Sequence, residues 1–598
     1  MTPFSLGSGS ALRNPRLLRL LLPALLVVVA IALALPSVTM GWQQDDLVHR
    51  YFLLGNPDFS GNVPSPLDMF RFMDGDSTRA AGLMDVGVVP WWTHPQLRIS
   101  FWRPLSALTH WVDYLLWPGS AVLMHLQSLA WFAGVILAAV VLYRRMLGLT
   151  WIAGLATLFF ALDDAHGLAA GWLANRNALL ALFFGILTLL VHDRWRRDDW
   201  RPGMLLGPAL LVLTLLSGES GLAVCAYLFA YALFIDPGNT RARVVSLVPY
   251  AAIAVVWLVA YSLSGYGTNG SGFYVDPLTE PLRFAAAVAW KMPLLLADQL
   301  GLPPSSIVLF LPASAIGVMV AWAVVFIAGL MVLLIPLLRR DQLARFWFTG
   351  MALSVPLVCS TMPHSRLLMF AGIGAFGLLA QWVGGIVDHA GWVHPGRPWN
   401  LAAKGMVWFF VFAHMVVAPL MLPFNATSAA FAQPYIQDAT SKVDAGPEFE
   451  RQDLIILNHP IVFYAHSFQT ARIVDGQAAP RRVRVLAPGT TTLAVRRTDG
   501  KTLVVRPEGG FLAAAFDDVF RSPAHPFRKG DEVGLTGLTV RIARLTDDGR
   551  PAEVEFEFLY PLEDASLRWV PWKEGGYAGF TPPAIGEIVF VQGSPILP

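Results

Sequence analysis

The chain has 598 residues, 55% hydrophobic and only 14% charged, with a formal net charge of +2. That balance excludes an ordinary soluble globular protein and points to a multi-spanning membrane protein. The small net charge removes any bulk electrostatic case for nucleic acid as a partner.

In chain order, a basic flank (Arg13, Arg16, Arg19) precedes the apolar run Leu20 to Leu35. Without a clear small-x-small cleavage site, this reads as a retained signal anchor with a cytoplasmic N-terminus. Apolar runs approaching the 20 or so residues a span needs occur at 18–39, 121–143, 149–163, 168–191, 203–218, 220–235, 245–264, 307–337, 346–361, 366–387 and 402–423. The expectation is therefore about eleven transmembrane helices. The stretch 283–300 is apolar but interrupted by Lys291, Pro293 and Asp298, and reads as interfacial or re-entrant. With the N-terminus inside, the inner connections carry Arg144 and Arg145, then Arg194, Arg196, Arg197 and Arg201, then Arg241 and Arg243, then Arg339, Arg340 and Arg345, and finally Arg397 and Lys404. Every inner loop is basic, as the positive-inside rule asks.

Three regions then lie outside. The first outer loop, about 40–120, ends in a Trp-rich stretch with the spacing of a helix lying in the interface plane. The second, 265–305, begins SGYGTNGSGFY. The third follows residue 430. It shows short alternating runs such as RRVRVLA, KTLVVRPEG and AEVEFEFLY between Gly- and Asp-containing turns, which is strand and hairpin patterning. The expected division is a membrane domain over 1–430, a linker over 431–449, and a compact all-β extracytoplasmic domain over 450–598. Cys225 and Cys359 lie in apolar runs and read as small hydrophobes.

Ionisable residues in or beside spans are costly and so are functional candidates. Here they gather on the outer side: Asp45 and Asp46; Arg103, His110 and Asp113; Asp163, Asp164 and His166; Arg176; Glu219; His364 and Arg366. Asp45 and Asp46 either end a helix in the headgroup region or supply a catalytic base. Arg176 lies inside a span and needs a partner, either a lipid phosphate or a structural carboxylate such as Asp163, Asp164 or Glu219. Arg103 binds phosphate or snorkels to headgroups. His166 with neighbouring carboxylates offers ligands for a divalent cation, at unspecific spacing. No GxxxxGK and no strand-associated GxGxxG is present, so an activated sugar donor would be lipid-linked rather than nucleotide-linked.

The acidic pair, FWRPLSALTHWVDYLLW, HGLAAGWLANRNALLALFF, LLSGESG and PHSRLLMFAGIGAFGLL follow one another over about 40–390. That order resembles the GT-C superfamily of integral-membrane glycosyltransferases, closest to the protein O-mannosyltransferase-like group and the tetratricopeptide-type mannosyltransferases. The resemblance implies an inverting transferase that takes a sugar from a polyprenyl-phosphate donor on the outer leaflet. Asp45 or Asp46 would be the base, and Arg103, Arg176 and Arg366 would handle the donor phosphate. His110, Asp164, His166, Glu219 and His364 would support them. The acceptor would be a glycan, lipid or protein. The chain departs from the family where DDAHGL replaces a His-Pro-x-His-x-Glu turn, where Ser217-Gly218-Glu219 replaces Ser-Lys-Glu, and where a β region replaces the repeats. Two other classes remain open: a transporter or flippase of lipid-linked sugars, and an inactive membrane scaffold for the β domain.

Overall fold

The computed structural model describes residues 15–57, 64–465, 467–514 and 516–594, without the side chains of 15–22 and Ala313. Arg13 lies outside the described residues, as do the side chains of Arg16 and Arg19. Six helices are long and apolar enough to cross a membrane: Ala121–Leu147, Leu173–Asp198, Thr240–Leu263, Ser314–Arg340, Ser365–Val387 and Arg397–Ser441. The pair Trp151–Leu162 and Asp164–Gly171, bent by 42°, would be a seventh. The expected count of about eleven is therefore not reached by length and composition. Its remaining segments are also helical: Pro15–Ala34 has 20 residues, Gly203–Ser217 and Glu219–Phe234 are brief apolar helices, and Gln342–Val358 has 17 residues. Gly203–Ser217 has 15 residues and rises only about 22 Å, against a hydrocarbon core of about 30 Å. It stops at Gly218, whose backbone is extended. Pro281–Leu300 is not among the candidate spans. Its buried Lys291 donates to the carbonyls of Cys359 (3.1 Å) and Thr361 (2.7 Å).

Helix Ser365–Val387 is the buried centre of the bundle, whereas Thr240–Leu263 and Ser314–Arg340 are mostly exposed. Small residues allow the close approach, as in other membrane bundles. A Cβ on Gly374 would come within 2.4 Å of the Trp347 carbonyl oxygen, and one on Gly350 within 2.3 Å of the Tyr227 ring. The Tyr227 hydroxyl donates to the Phe370 carbonyl (2.6 Å) and accepts from Gly374 N–H (2.9 Å).

Helix Pro104–Leu116 in the 40–120 loop has an inverted distribution. Ser106, His110 and Asp113 are buried, while Leu108, Trp111, Leu115 and Leu116 are exposed. That is the pattern of a helix whose apolar face lies against acyl chains.

Beyond residue 450, the antiparallel six-stranded sheet runs in the order Ile588–Val591, Leu493–Arg497, Thr502–Pro507, Pro551–Phe558, Leu538–Leu545, Glu532–Leu535. The region is not all-β. Asp453–His459 pairs in parallel with Arg482–Pro488 and with Leu567–Val570, and helices Val462–Ala465 and Phe468–Val474 connect the first two strands. All seven residues of Asp453–His459 are buried, as parallel strands covered on both faces require. The stretch 431–449 is packed rather than free. Arg472 donates to the carbonyls of Thr440 (2.6 Å) and Val443 (3.1 Å).

The C-terminal region shares one core with the 40–120 loop. Met73, Leu83, Trp91, Trp92 and Ile99 pack with Leu454, Val485, Val505 and Phe556. The Trp91 indole donates to the Leu486 carbonyl (3.1 Å). Gly87, at φ +94°, passes so close to Val483 that a Cβ would sit 1.8 Å from its carbonyl oxygen. A small sheet, Arg71–Asp74, Arg98–Ser100 and Gly267–Asn269, joins the first and second outer loops.

Candidate functional site

Where the 40–120 and 265–305 loops, the helix ends and the C-terminal region meet, they enclose a cavity of about 1280 Å³. Its lining includes Asp45, Arg103, Glu219, Tyr274, His364 and Arg366.

The acidic pair opens helix Asp45–Leu53, where exposed N–H groups favour negative charge. The two acids differ. Asp46 is buried, and its oxygens accept from the backbone N–H of Gln43 (2.9 Å) and Ala174 (2.7 Å). The Trp172 indole donates to the Gln43 carbonyl (3.2 Å), so the 43–46 turn is fixed to the 172–174 turn. Asp46 does not line the cavity. Asp45 does, is only half-buried, and has no hydrogen-bond partner among the described residues. Burial pushes its carboxyl up to about 6, with Arg366 and Arg103 pulling it back down. Burial pushes Asp46 up to about 8, against its two backbone donors and with Asp45 adding to the rise. Burial thus raises both carboxyls, Asp46 further than Asp45.

Arg103 Nε pairs with Glu219 Oε2 at 2.7 Å, and its guanidinium lies 4.3 Å from the Phe101 ring centroid. Arg366 lies 5.3 Å from the Trp172 centroid. Its buried Nε has no partner, and it forms no ion pair within 4.0 Å among the described residues. The His364 ring accepts from Arg366 N–H (3.2 Å) and caps the 3₁₀ turn Ser365–Leu368.

Arg176, expected at the donor phosphate, is elsewhere. It is wholly buried and does not line the cavity. Its nitrogens donate to Asp113 Oδ2 (2.6 Å), Ser128 Oγ (2.9 Å), the Met124 carbonyl (2.8 Å) and Gln127. Its partner is a carboxylate, but Asp113 rather than Asp163, Asp164 or Glu219, and all three of its nitrogens are engaged by protein groups away from the cavity. His110 is buried against Phe70 and His49. His166 sits among Phe132 and Phe160, both ring nitrogens unpaired. Asp164 accepts from the Asn425 amide (2.9 Å). None of these three lines the cavity. Among the described residues no group of three His, Cys, Asp or Glu side chains is placed to hold a metal ion.

Sequence reasoning missed two parts of the wall. Tyr274 comes from the far end of the Gly/Ser-rich second loop, and Phe463, Tyr464, Phe516 and Phe520 come from the C-terminal region. The aromatic end of SGYGTNGSGFY was the one available signal for the first.

No family model matches the chain, and no curated protein matches it. Solved structures of the Archaeoglobus fulgidus oligosaccharyltransferase are similar. One, tethered to an acceptor peptide containing the NVT sequon, is 12% identical with a TM-score of 0.36, over 78% of this chain and 64% of that one. Another, the archaeal oligosaccharyltransferase AglB in complex with an inhibitory peptide and a dolichol-phosphate, is 13% identical with a TM-score of 0.36, over 77% and 64%. This chain thus spans less than two thirds of the length of the structures it matches.

Proposed function

We propose that the chain is an integral-membrane glycosyltransferase of GT-C type that moves a sugar from a polyprenyl-phosphate donor to an acceptor on the outer face, with inversion. The observation that carries this reading is the sharing of one cavity by an unpaired carboxylate, Asp45, and two guanidinium groups, Arg103 and Arg366. An acceptor hydroxyl is a weak nucleophile, and Asp45 takes its proton as it attacks. The C1–O bond to phosphate breaks with its electron pair on the departing oxygen, where the cationic side chains stabilise the growing charge. Of the two cations, Arg366 makes no ion pair among the described residues, so its charge is the less neutralised and it is the principal phosphate ligand. Arg103 is already held by Glu219.

The cavity wall is apolar on one side, with Phe284, Phe310, Leu353 and Leu357. Phe310, Leu353 and Leu357 are also exposed, which suits a prenyl chain entering from the lipid. Orientation follows from helix Leu173–Asp198. Its first residues adjoin Asp46, and its last turn carries Arg196 and Arg197. Its 26 residues separate the two ends by about 39 Å. The positive-inside rule puts the arginine end in the cytoplasm and the cavity outside, with the C-terminal region over it.

The test is transfer of labelled sugar from polyprenyl-phosphate donors by membranes containing the full-length chain. Arg366→Ala is expected to raise the donor KM by roughly 10- to 100-fold, the worth of one hydrogen-bonded charge contact. An unchanged donor KM would remove Arg366 from the site, and no transfer above chain-free membranes would remove the activity itself.

A further inference from the structure

Tyr274 lies among the groups that do the proposed chemistry. It lines the same cavity as Arg366, Asp45, Arg103 and Glu219, and all four act on its phenol electrostatically. Its ring packs edge-on against Phe101 (centroids 5.8 Å) and Phe273 (5.3 Å), and Phe101 also carries the Arg103 guanidinium.

The backbone around it is held on every side. Ser271 Oγ accepts from the N–H groups of Phe273 (3.1 Å) and Tyr274 (3.4 Å). Arg283 donates to the carbonyls of Ser271 and Gly272, each at 3.2 Å. Gly272 N–H donates to the Asp518 carbonyl (2.7 Å), and Val275 N–H to the Ser360 carbonyl (2.7 Å). The segment is thereby tied to the C-terminal region and to the end of helix Gln342–Val358. This is strong fixation for a loop residue whose hydroxyl has no hydrogen-bond partner among the described residues. A phenol that lines a cavity together with carboxylates and guanidinium groups, and is left unused by the fold, is suited to meet a ligand.

On the reading given above, we infer that Tyr274 is a catalytic residue that donates a hydrogen bond from its hydroxyl to a non-bridging oxygen of the donor phosphate. Burial raises the phenol above its ordinary range, with Asp45 and Glu219 adding to the rise and the two arginines opposing it. The hydroxyl therefore keeps its proton near neutral pH and has an O–H to donate. In the transfer step the acceptor oxygen bonds to C1, and the C1–O phosphate bond breaks with its pair on phosphate. The acceptor proton goes to Asp45. Tyr274 neither gains nor loses a proton; its hydrogen bond shortens as charge builds on the leaving group.

The experiment compares wild type and Tyr274→Phe, full-length in nanodiscs, for binding of undecaprenyl phosphate and of undecaprenol. The alcohol shares the chain and lacks the phosphate. Tyr274→Phe is expected to weaken phosphate binding about tenfold or more, as loss of a hydrogen bond to a charged group does, and to leave alcohol binding and melting temperature unchanged. Equal loss for both ligands would make Tyr274 a packing residue, and unchanged phosphate binding would remove it from the site; either result overturns the inference. A wild type that does not prefer the phosphate over the alcohol would overturn the transferase reading itself, a result distinct from the other two.

Discussion

Asp45→Asn is expected to slow sugar transfer by about 10²- to 10⁴-fold, the usual contribution of a positioned general base. The amide keeps the shape and the helix position and removes only the proton acceptor, so donor binding and melting temperature should hold. The wild-type rate should also titrate. Asp45 is raised to about 6 by burial, and the base works only when deprotonated. Transfer should therefore rise as pH increases through about 6 and level off above it, and lose that limb in the variant. Asp46→Asn should behave differently. An amide oxygen can accept from only one of the Gln43 and Ala174 N–H groups that now share the carboxyl, leaving a buried donor unmet at roughly 1–3 kcal/mol of stability. Its transfer rate should remain well above that of Asp45→Asn. Parallel rate and melting measurements on the two variants separate base from anchor.

Arg176→Met is expected to cost about 3–5 kcal/mol of stability, the penalty for stranding one member of a buried ion pair. Asp113 would be left without its cation in a pocket where both side chains are inaccessible to solvent. The double variant Arg176→Met with Asp113→Leu should recover most of that loss, because a buried pair replaced by apolar groups is often close to neutral. Thermal unfolding in detergent reads both. A phosphate ligand at this position would instead change donor KM in a protein that melts normally.

The helical segments were legible because apolar runs announce themselves, and each expected span contains a helix. Their number was less so: hydropathy does not reveal that Gly203–Ser217 and the neighbouring Glu219–Phe234 stop short of a membrane thickness. The run DLIILNH marked a strand, but its parallel partner was hidden, since the connecting helices have only four and seven residues. Nor could a pattern of local periodicity show Trp91 and Trp92 packing into strands some 400 positions later. At the site, Asp45, Arg103, Glu219, His364 and Arg366 were singled out by cost: charge beside lipid needs a reason. The same cost marked Arg176, and there the reason was Asp113, a partner 63 positions away. Tyr274 carries no charge and sits after a glycine-rich turn, so nothing in its neighbourhood distinguished it.

The most direct measurement is a structure of the full-length chain in nanodiscs with undecaprenyl phosphate. The account predicts the phosphate in the cavity against Arg366, with Asp45 facing the space where a sugar would extend and the prenyl chain running along Leu353 and Leu357. A phosphate bound outside that cavity, with Asp45 and Arg366 left facing solvent, would contradict it.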